Sequence, residues 1–235
     1  MDQEGWRARY AEMRPGWRPS TTLYRQLVGA HVDDRSRVLD VGCGRSELLA
    51  TELARAARAV GTDPDVASLR ANETLPLRAA ATGERLPFPD RTFDLVVLAW
   101  VLEHLERPTA VFREVHRVLC PGGRVAFLTP NAWNYNAWLI RAVPNRLHHV
   151  FTSRLYGRPA GDTFPTRYRC NSTGVIHRTL SPLGFDRERI VLNGDPSYIA
   201  VNEPLFRLGV LLESLYDLAP LRRARVHLIG LYRKH

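Results

Sequence analysis

Asp40, Asp63 and His104 are the residues best placed in this chain to do chemistry, each close to the end of an apolar run. Asp40 lies in Val38-Leu39-Asp40-Val41, which breaks into Gly42-Cys43-Gly44-Arg45-Ser46 before Glu47-Leu48-Leu49-Ala50. The two glycines let the backbone approach a ligand where any Cβ would collide. The helix start beyond them presents unpaired N–H groups and the positive end of a dipole. Such a turn suits a nucleotide-type cofactor. Asp63 follows about twenty residues later, in Gly61-Thr62-Asp63-Pro64, where a doubly wound sheet places a ribose. Its carboxylate can accept from both ribose hydroxyls, and an Asp before Pro can also cap a helix. His104 carries an imidazole whose ordinary pKa of ~6.5 suits removing a proton from an acceptor hydroxyl. It could equally be a packing residue of the helix behind its strand.

The spelling of the turn narrows the cofactor. A dinucleotide fingerprint carries a third glycine at the sixth position, and Glu47 stands there with a charge that would repel a pyrophosphate. A phosphate P-loop needs Gly-Lys-Ser/Thr, and the only lysine of the chain is Lys234. A cofactor without phosphate fits better.

Several strand ends must meet at one edge to bring these residues together. Strands are expected at 37–41, 59–62, 77–81, 93–99 and 124–128, alternating with helices at 47–57, 64–72 and 108–119. That rhythm predicts a doubly wound, mostly parallel α/β sheet with helices on both faces. Residues 1–30 form a helical lead-in, broken at 14–19 and restarted by Ser20 or Thr21 as a cap. Residues 31–130 make the cofactor-binding core. The stretch 131–173 lacks a clean period and is expected to be a lid over the substrate. Residues 174–235 complete the sheet with a helix at 173–183, a strand at 189–192, an apolar helix at 204–218 and a last strand at 225–232.

The middle of the core is the most specific part. Thr82-Gly83-Glu84-Arg85-Leu86-Pro87-Phe88-Pro89-Asp90-Arg91-Thr92-Phe93-Asp94 precedes the fourth strand, and Val101-Leu102-Glu103-His104-Leu105 and Arg117-Val118-Leu119-Cys120-Pro121-Gly122-Gly123 follow it. Together with the glycine turn, these segments resemble the class I S-adenosylmethionine-dependent methyltransferases of the ubiquinone/menaquinone type, over roughly residues 36–130. The resemblance implies a seven-stranded Rossmann-like sheet whose last strand is antiparallel. It implies S-adenosyl-L-methionine as cofactor, with Asp40, Gly42, Cys43 and Gly44 around the methionine part and Asp63 and Pro64 at the ribose. It further implies Thr82, Gly83 and Glu84 at the adenine, and Ala99 and Trp100 near the methyl donor. Ser46 replaces the family's third glycine, and Thr82 replaces an acid that caps the adenine amino group, so that hydrogen bond loses its charge assistance.

Composition bounds the rest. The chain has 235 residues, 45% of them hydrophobic, which allows one sizeable core with appendages. Three scattered cysteines match neither a disulfide framework nor a zinc site, so no metal is expected and a reducing cytoplasm is the default. Cys120 is expected to be structural. The net charge of +9 is nearly all arginine spread along the chain, so nucleic acid is not the expected partner.

The expected partner is a small-molecule, sugar or lipid acceptor, with O-methylation as the reaction. Trp133, Tyr135, Trp138, Tyr168 and Arg169 are candidates to stack on it or hold it. His148, His149, His177 and Tyr168 compete with His104 for the role of base. The apolar helix at 204–218 is read as core or dimer surface, with Leu205, Leu208, Leu212 and Leu215 on one face. Arg222-Arg223-Ala224-Arg225 behind it leaves open a weak membrane-surface contact. Rival readings are an RNA or lipid methyltransferase, an NAD-linked sugar-nucleotide enzyme and a non-catalytic binder of S-adenosylmethionine.

Overall fold

A computed structural model describes residues 2–45, 47–135 and 165–235; Ser46, Trp138, His148, His149 and most of the expected lid lie outside the described residues. The lead-in forms α1 (Gln3–Met13) and α2 (Ser20–Gly29). The core alternates β1 (Arg37–Val41), α3 (Ala50–Leu53), β2 (Arg58–Asp63), α4 (Val66–Ala71), β3 (Leu77–Ala80), β4 (Phe93–Ala99), α5 (Pro108–Val118) and β5 (Leu119–Pro130). After the undescribed stretch come α6 (Thr173–Leu180), β6 (Phe185–Asn193), α7 (Glu203–Leu215) and β7 (His227–Lys234).

The seven strands form one sheet in the order β3-β2-β1-β4-β5-β7-β6. Pairings are parallel from β3 to β5, and β7 runs antiparallel to both β5 and β6. The chain reverses direction across the sheet between β1 and β4, which opens a crevice at their carboxyl ends. β1 and β4 are buried apolar runs, as strands covered on both faces must be. One apolar layer packs Val96, Leu98, Phe127 and Tyr232 with Phe112 and Ile176 of α5 and α6. The other packs Val38, Val97 and Leu128 with Tyr24 and Val28 of α2. No helix among the described residues is long and apolar enough to cross a membrane.

Several boundaries differ from expectation for physical reasons. The helix expected at 47–57 shrinks to one α turn, because tight turns (Ala50 N to Glu47 O, Ala56 N to Leu53 O) close it at both ends. Ser20 does not cap α2 with its side chain, because its Oγ faces His227 Nδ1 at 2.8 Å. Asp63 is not the cap of α4, because Asp65 fills that place. β5 begins at Leu119 rather than 124, with Pro121-Gly122-Gly123 taken up by a register shift and a left-handed Gly122 at φ 75°. β6 begins at Phe185 rather than 189; Asp186, Arg187 and Glu188 mark it as an exposed edge strand and hide its pattern. α7 buries Phe206, Gly209 and Glu213, not the expected leucine stripe.

Candidate active site

The glycine turn is built by two clamps. Gly42 (φ 73°) and Gly44 (φ 47°) both take left-handed conformations that side-chain-bearing residues avoid. The amides of Gly42 and Cys43 both point at the Thr62 carbonyl, at 2.7 and 3.1 Å, which ties the turn to β2. Asp63 Oδ2 accepts from Gly44 N at 2.9 Å, and Oδ1 accepts from Asp65 N at 2.8 Å. Each oxygen keeps one lone-pair direction for a ligand hydroxyl. From the other side, Asn72 Nδ2 donates to Gly44 O at 2.9 Å, a contact the sequence reading missed. An Asn closing α4 carries no motif, so no signal pointed to it.

The surroundings of the two glycines are different. A Cβ on Gly42 would lie 2.4 Å from Val101 Cγ2, so the segment after β4 presses directly on the turn. Among the described residues, a Cβ on Gly44 would meet only Asp63 Oδ2, at 3.9 Å. The open space above Gly44 is therefore the cradle. Cys43 turns its thiol inward against Gly61, and burial pushes that thiol up to about 12, so Cys43 offers the site backbone only.

Asp40 completes the niche. It pairs in register with Gly61 on one side and Val97 on the other, and its carboxylate receives no hydrogen bond from the described residues. Burial, then the nearby charge of Asp63, pushes Asp40 up to about 7. Two buried carboxylates that repel each other at an open cradle suit a cationic ligand. S-adenosylmethionine carries an ammonium and a sulfonium beside its ribose hydroxyls, so the residues present fit it.

The segment at 82–90 is pinned from below. Ala81 N donates to the Asp63 carbonyl, and Thr82 lies exposed at the lip of the site. Gly83 sits against Val41 and Val111, where a Cβ would press on Val111 Cγ1 at 3.1 Å. Arg117 of α5 donates to the carbonyls of Leu86 and Phe88 and pairs with Asp90 and Glu114. The Leu-Pro-Phe motif is thus held in place by one arginine. Glu84, expected at the adenine, pairs with Arg107 among the described residues, and Pro64 lies exposed beyond Asp63.

At the carboxyl ends of β4 and β5 stands a second group. Ala99 closes β4, and Trp100 takes a left-handed backbone (φ 60°) with its amide on Leu128 O at 2.8 Å. Glu103, buried, accepts from Thr129 Oγ1 at 3.0 Å, and Asn171 Nδ2 donates to the same Thr129 oxygen at 2.6 Å. His104 Nδ1 lies 3.2 Å from the Pro165 carbonyl, and its Nε2 is 4.0 Å from Glu103 Oε1. A carbonyl only accepts, so Nδ1 carries the proton and Nε2 is the basic nitrogen of the neutral ring.

The backbone amides of Arg167 and Tyr168 both donate to Glu103 O, which brings Tyr168 to this group. Arg169 is drawn away, donating to Glu106 O at 2.7 Å. Trp133 is exposed beneath Arg223, and His177 is exposed on α6. Tyr135 lies half-buried at the end of the described β5 exit. Glu103, Thr129 and Asn171 went unnoticed in the sequence because they meet only in the fold. Cys120 lies at the opposite edge, its Sγ donating to Arg91 O and accepting from Arg37, in keeping with a structural role.

A mostly parallel sheet with a clamped glycine turn and two buried carboxylates, Asp40 and Asp63, at one edge defines a protein of the Rossmann-like class. A methyltransferase-domain family model matches residues 39–127. The demethylmenaquinone methyltransferase of Streptomyces griseus is 32% identical over 52% of this chain and 58% of its own length. The ubiquinone/menaquinone biosynthesis C-methyltransferase of Cupriavidus metallidurans is 31% identical over 68% of this chain and 72% of its own. Among solved structures, an S-adenosylmethionine-dependent methyltransferase from Mesorhizobium loti superposes with a TM-score of 0.59 at 18% identity, covering 89% of this chain and 96% of that one. The chain belongs to the class I S-adenosylmethionine-dependent methyltransferases of the ubiquinone/menaquinone type. It spans about 58% of the length of the first two curated relatives it matches.

Proposed function

We propose that this protein transfers a methyl group from S-adenosylmethionine to a hydroxyl oxygen of a small-molecule, sugar or glycolipid acceptor, with His104 taking the hydroxyl proton. The observation that carries this reading is the placement of His104 between the Pro165 carbonyl and the buried Glu103 carboxylate. With Nδ1 donating to Pro165 O, Nε2 is the nitrogen that takes the hydroxyl proton, 4.0 Å from the Glu103 carboxylate. An imidazolium formed there is stabilised by Glu103, whose own orientation is set by Thr129 and Asn171.

Bound S-adenosylmethionine supplies an electrophilic methyl carried on a sulfonium. Asp40 faces its positive charge, Asp63 its ribose hydroxyls, and Gly42, Cys43 and Gly44 its amino-acid part. Ala99 and Trp100 border the donor methyl. Thr82 and Gly83 line the adenine end, while Glu84 positions that segment through Arg107. Tyr135 and Tyr168 line the acceptor side, with Trp133 at its rim and Arg169 holding the 165–169 segment to Glu106. Holding acceptor and donor at near-attack distance supports an acceleration of up to ~7–11 kcal/mol.

A second reading keeps the same base. Loss of a phenolic proton to His104 also makes the adjacent ring carbon nucleophilic, and the relative from Cupriavidus metallidurans is named a C-methyltransferase. Labelled methyl transfer into hydroquinones, phenols, sugars and glycolipids, with product analysis, distinguishes the two. His104→Ala should lower turnover by about 10²–10⁴-fold while leaving cofactor affinity unchanged. An unchanged rate would return His104 to a structural role.

A further inference from the structure

The outer face of α7 is apolar and uncovered. Leu208, Leu211, Leu215 and Leu218 follow each other at spacings of three and four, which places them on one side of the helix and its continuing turns. Together with Leu221 they are between 42 and 57% exposed. The inner face is already satisfied. Phe206 stacks on Trp6 of α1 with centroids 4.7 Å apart, and Gly209 sits against Pro196 and Ile199. A contiguous row of five exposed leucines is more apolar surface than scattered exposed residues would explain.

The rim of that row is cationic. Arg222 and Arg223 follow it directly and are exposed. Of the carboxylates nearby, Asp217 pairs with both Arg14 and Arg225, and Glu203 pairs with both Arg9 and Arg207. Among the described residues, six guanidiniums thus stand against these two carboxylates, the other carboxylate of the helix, Glu213, being buried on its inner side. Arg223 also lies over the exposed Trp133 ring at 5.8 Å. The patch is tied to the carboxyl edge of the sheet, since Asn131 Nδ2 donates to Arg223 O and Arg225 O, and Asn134 Nδ2 donates to Ala224 O.

We propose that this leucine face, with Arg222, Arg223 and Trp133 at its rim, docks onto an anionic phospholipid bilayer and presents the acceptor side of the sheet to it. Leucines entering the acyl boundary, arginines among the headgroups and a tryptophan at the interface are the chemistry of an in-plane amphipathic anchor. A second copy of this chain fits less well. A two-fold contact through this face brings together two rims with the same excess of arginine, whereas an anionic surface neutralises it. The inference stands apart from the methyl-transfer reading, because membrane binding is measured without turnover.

The test is co-sedimentation of the full chain with phosphatidylglycerol/phosphatidylcholine vesicles and with pure phosphatidylcholine vesicles. The protein should partition onto the anionic vesicles, weakly or not at all onto the neutral ones, and less as salt rises. Leu211→Glu/Leu218→Glu and, separately, Arg222→Gln/Arg223→Gln should each lower that partition by about tenfold or more, with unchanged melting temperature and cofactor affinity. Absence of binding to the anionic vesicles would overturn the proposal. So would full binding by the leucine variant, or a stable dimer in sedimentation velocity that the leucine variant dissolves.

Discussion

The two halves of the sheet hold their functional groups by different means. In β3-β2-β1-β4, nearly every holding contact has a backbone group on one side: Gly44 and Asp65 amides fix Asp63, the Thr62 carbonyl fixes the turn, and Asn72 and Arg117 grip carbonyls. In β5-β7-β6, side chains far apart in sequence do the holding. Ser20 faces His227 Nδ1 and accepts from Asn193, Tyr198 faces His227 Nε2 at 2.9 Å, and Arg7 pairs with the buried Asp195. Burial, then the charge of Arg7, lowers His227 to about 3, so this histidine is a neutral strut. The first half is therefore suited to a constant ligand recognised through short motifs. The second is assembled from long-range contacts, and its details are free to follow the acceptor.

The largest expected effect tests the first half. Asp63→Ala removes both the lock on the turn and the proposed ribose acceptor, two hydrogen bonds to a charged group worth ~1.5–3 kcal/mol each. Affinity for S-adenosylmethionine should fall by about 10²-fold or more in a calorimetric titration, and near-normal affinity would refute the ribose assignment.

A smaller effect, of another kind, is expected from the second half. Ser20→Ala leaves Asn193 and His227 short of a buried partner, so stability should drop by ~1–3 kcal/mol in denaturant unfolding, with cofactor affinity unchanged. A loss of cofactor affinity in that variant would dissolve the distinction between the halves.

The same contrast explains what the sequence disclosed. The strands of the first half were legible because buried parallel strands are short apolar runs, and the turn was legible because glycine is required where φ is positive. Asp63 was found by its distance from that turn. The pairing of Glu84 with Arg107 was not legible, because Arg107 lies beyond the fourth strand and no local pattern announces the contact. In the second half, Glu213 was invisible as a buried residue. It enters the core because Gly194 leaves room beside its carboxylate and the Asp195 amide faces it, and burial pushes it up to about 7. The leucines of α7 misled for the same reason: their period gave the apolar face, and Glu213 and Gly209 took the inner side. Glu103, Thr129 and Asn171 converge from three separate segments, so only the fold brings them together.

The central claim is that Asp40 and Asp63 form a niche for a positively charged nucleoside ligand. Asp40, raised to about 7 in the free protein, must be ionised to face that charge. Ligand binding should therefore drive its proton off, and affinity should rise as pH rises through about 7. The direct measurement is calorimetric titration of S-adenosylmethionine from about pH 6 to about pH 8, in buffers of different ionisation enthalpy, for wild type and Asp40→Asn. The account predicts affinity rising several-fold with proton release in the wild type, and a weaker, pH-flat affinity in the variant. Wild-type affinity that is flat with pH and releases no proton, or full affinity in Asp40→Asn, would contradict it.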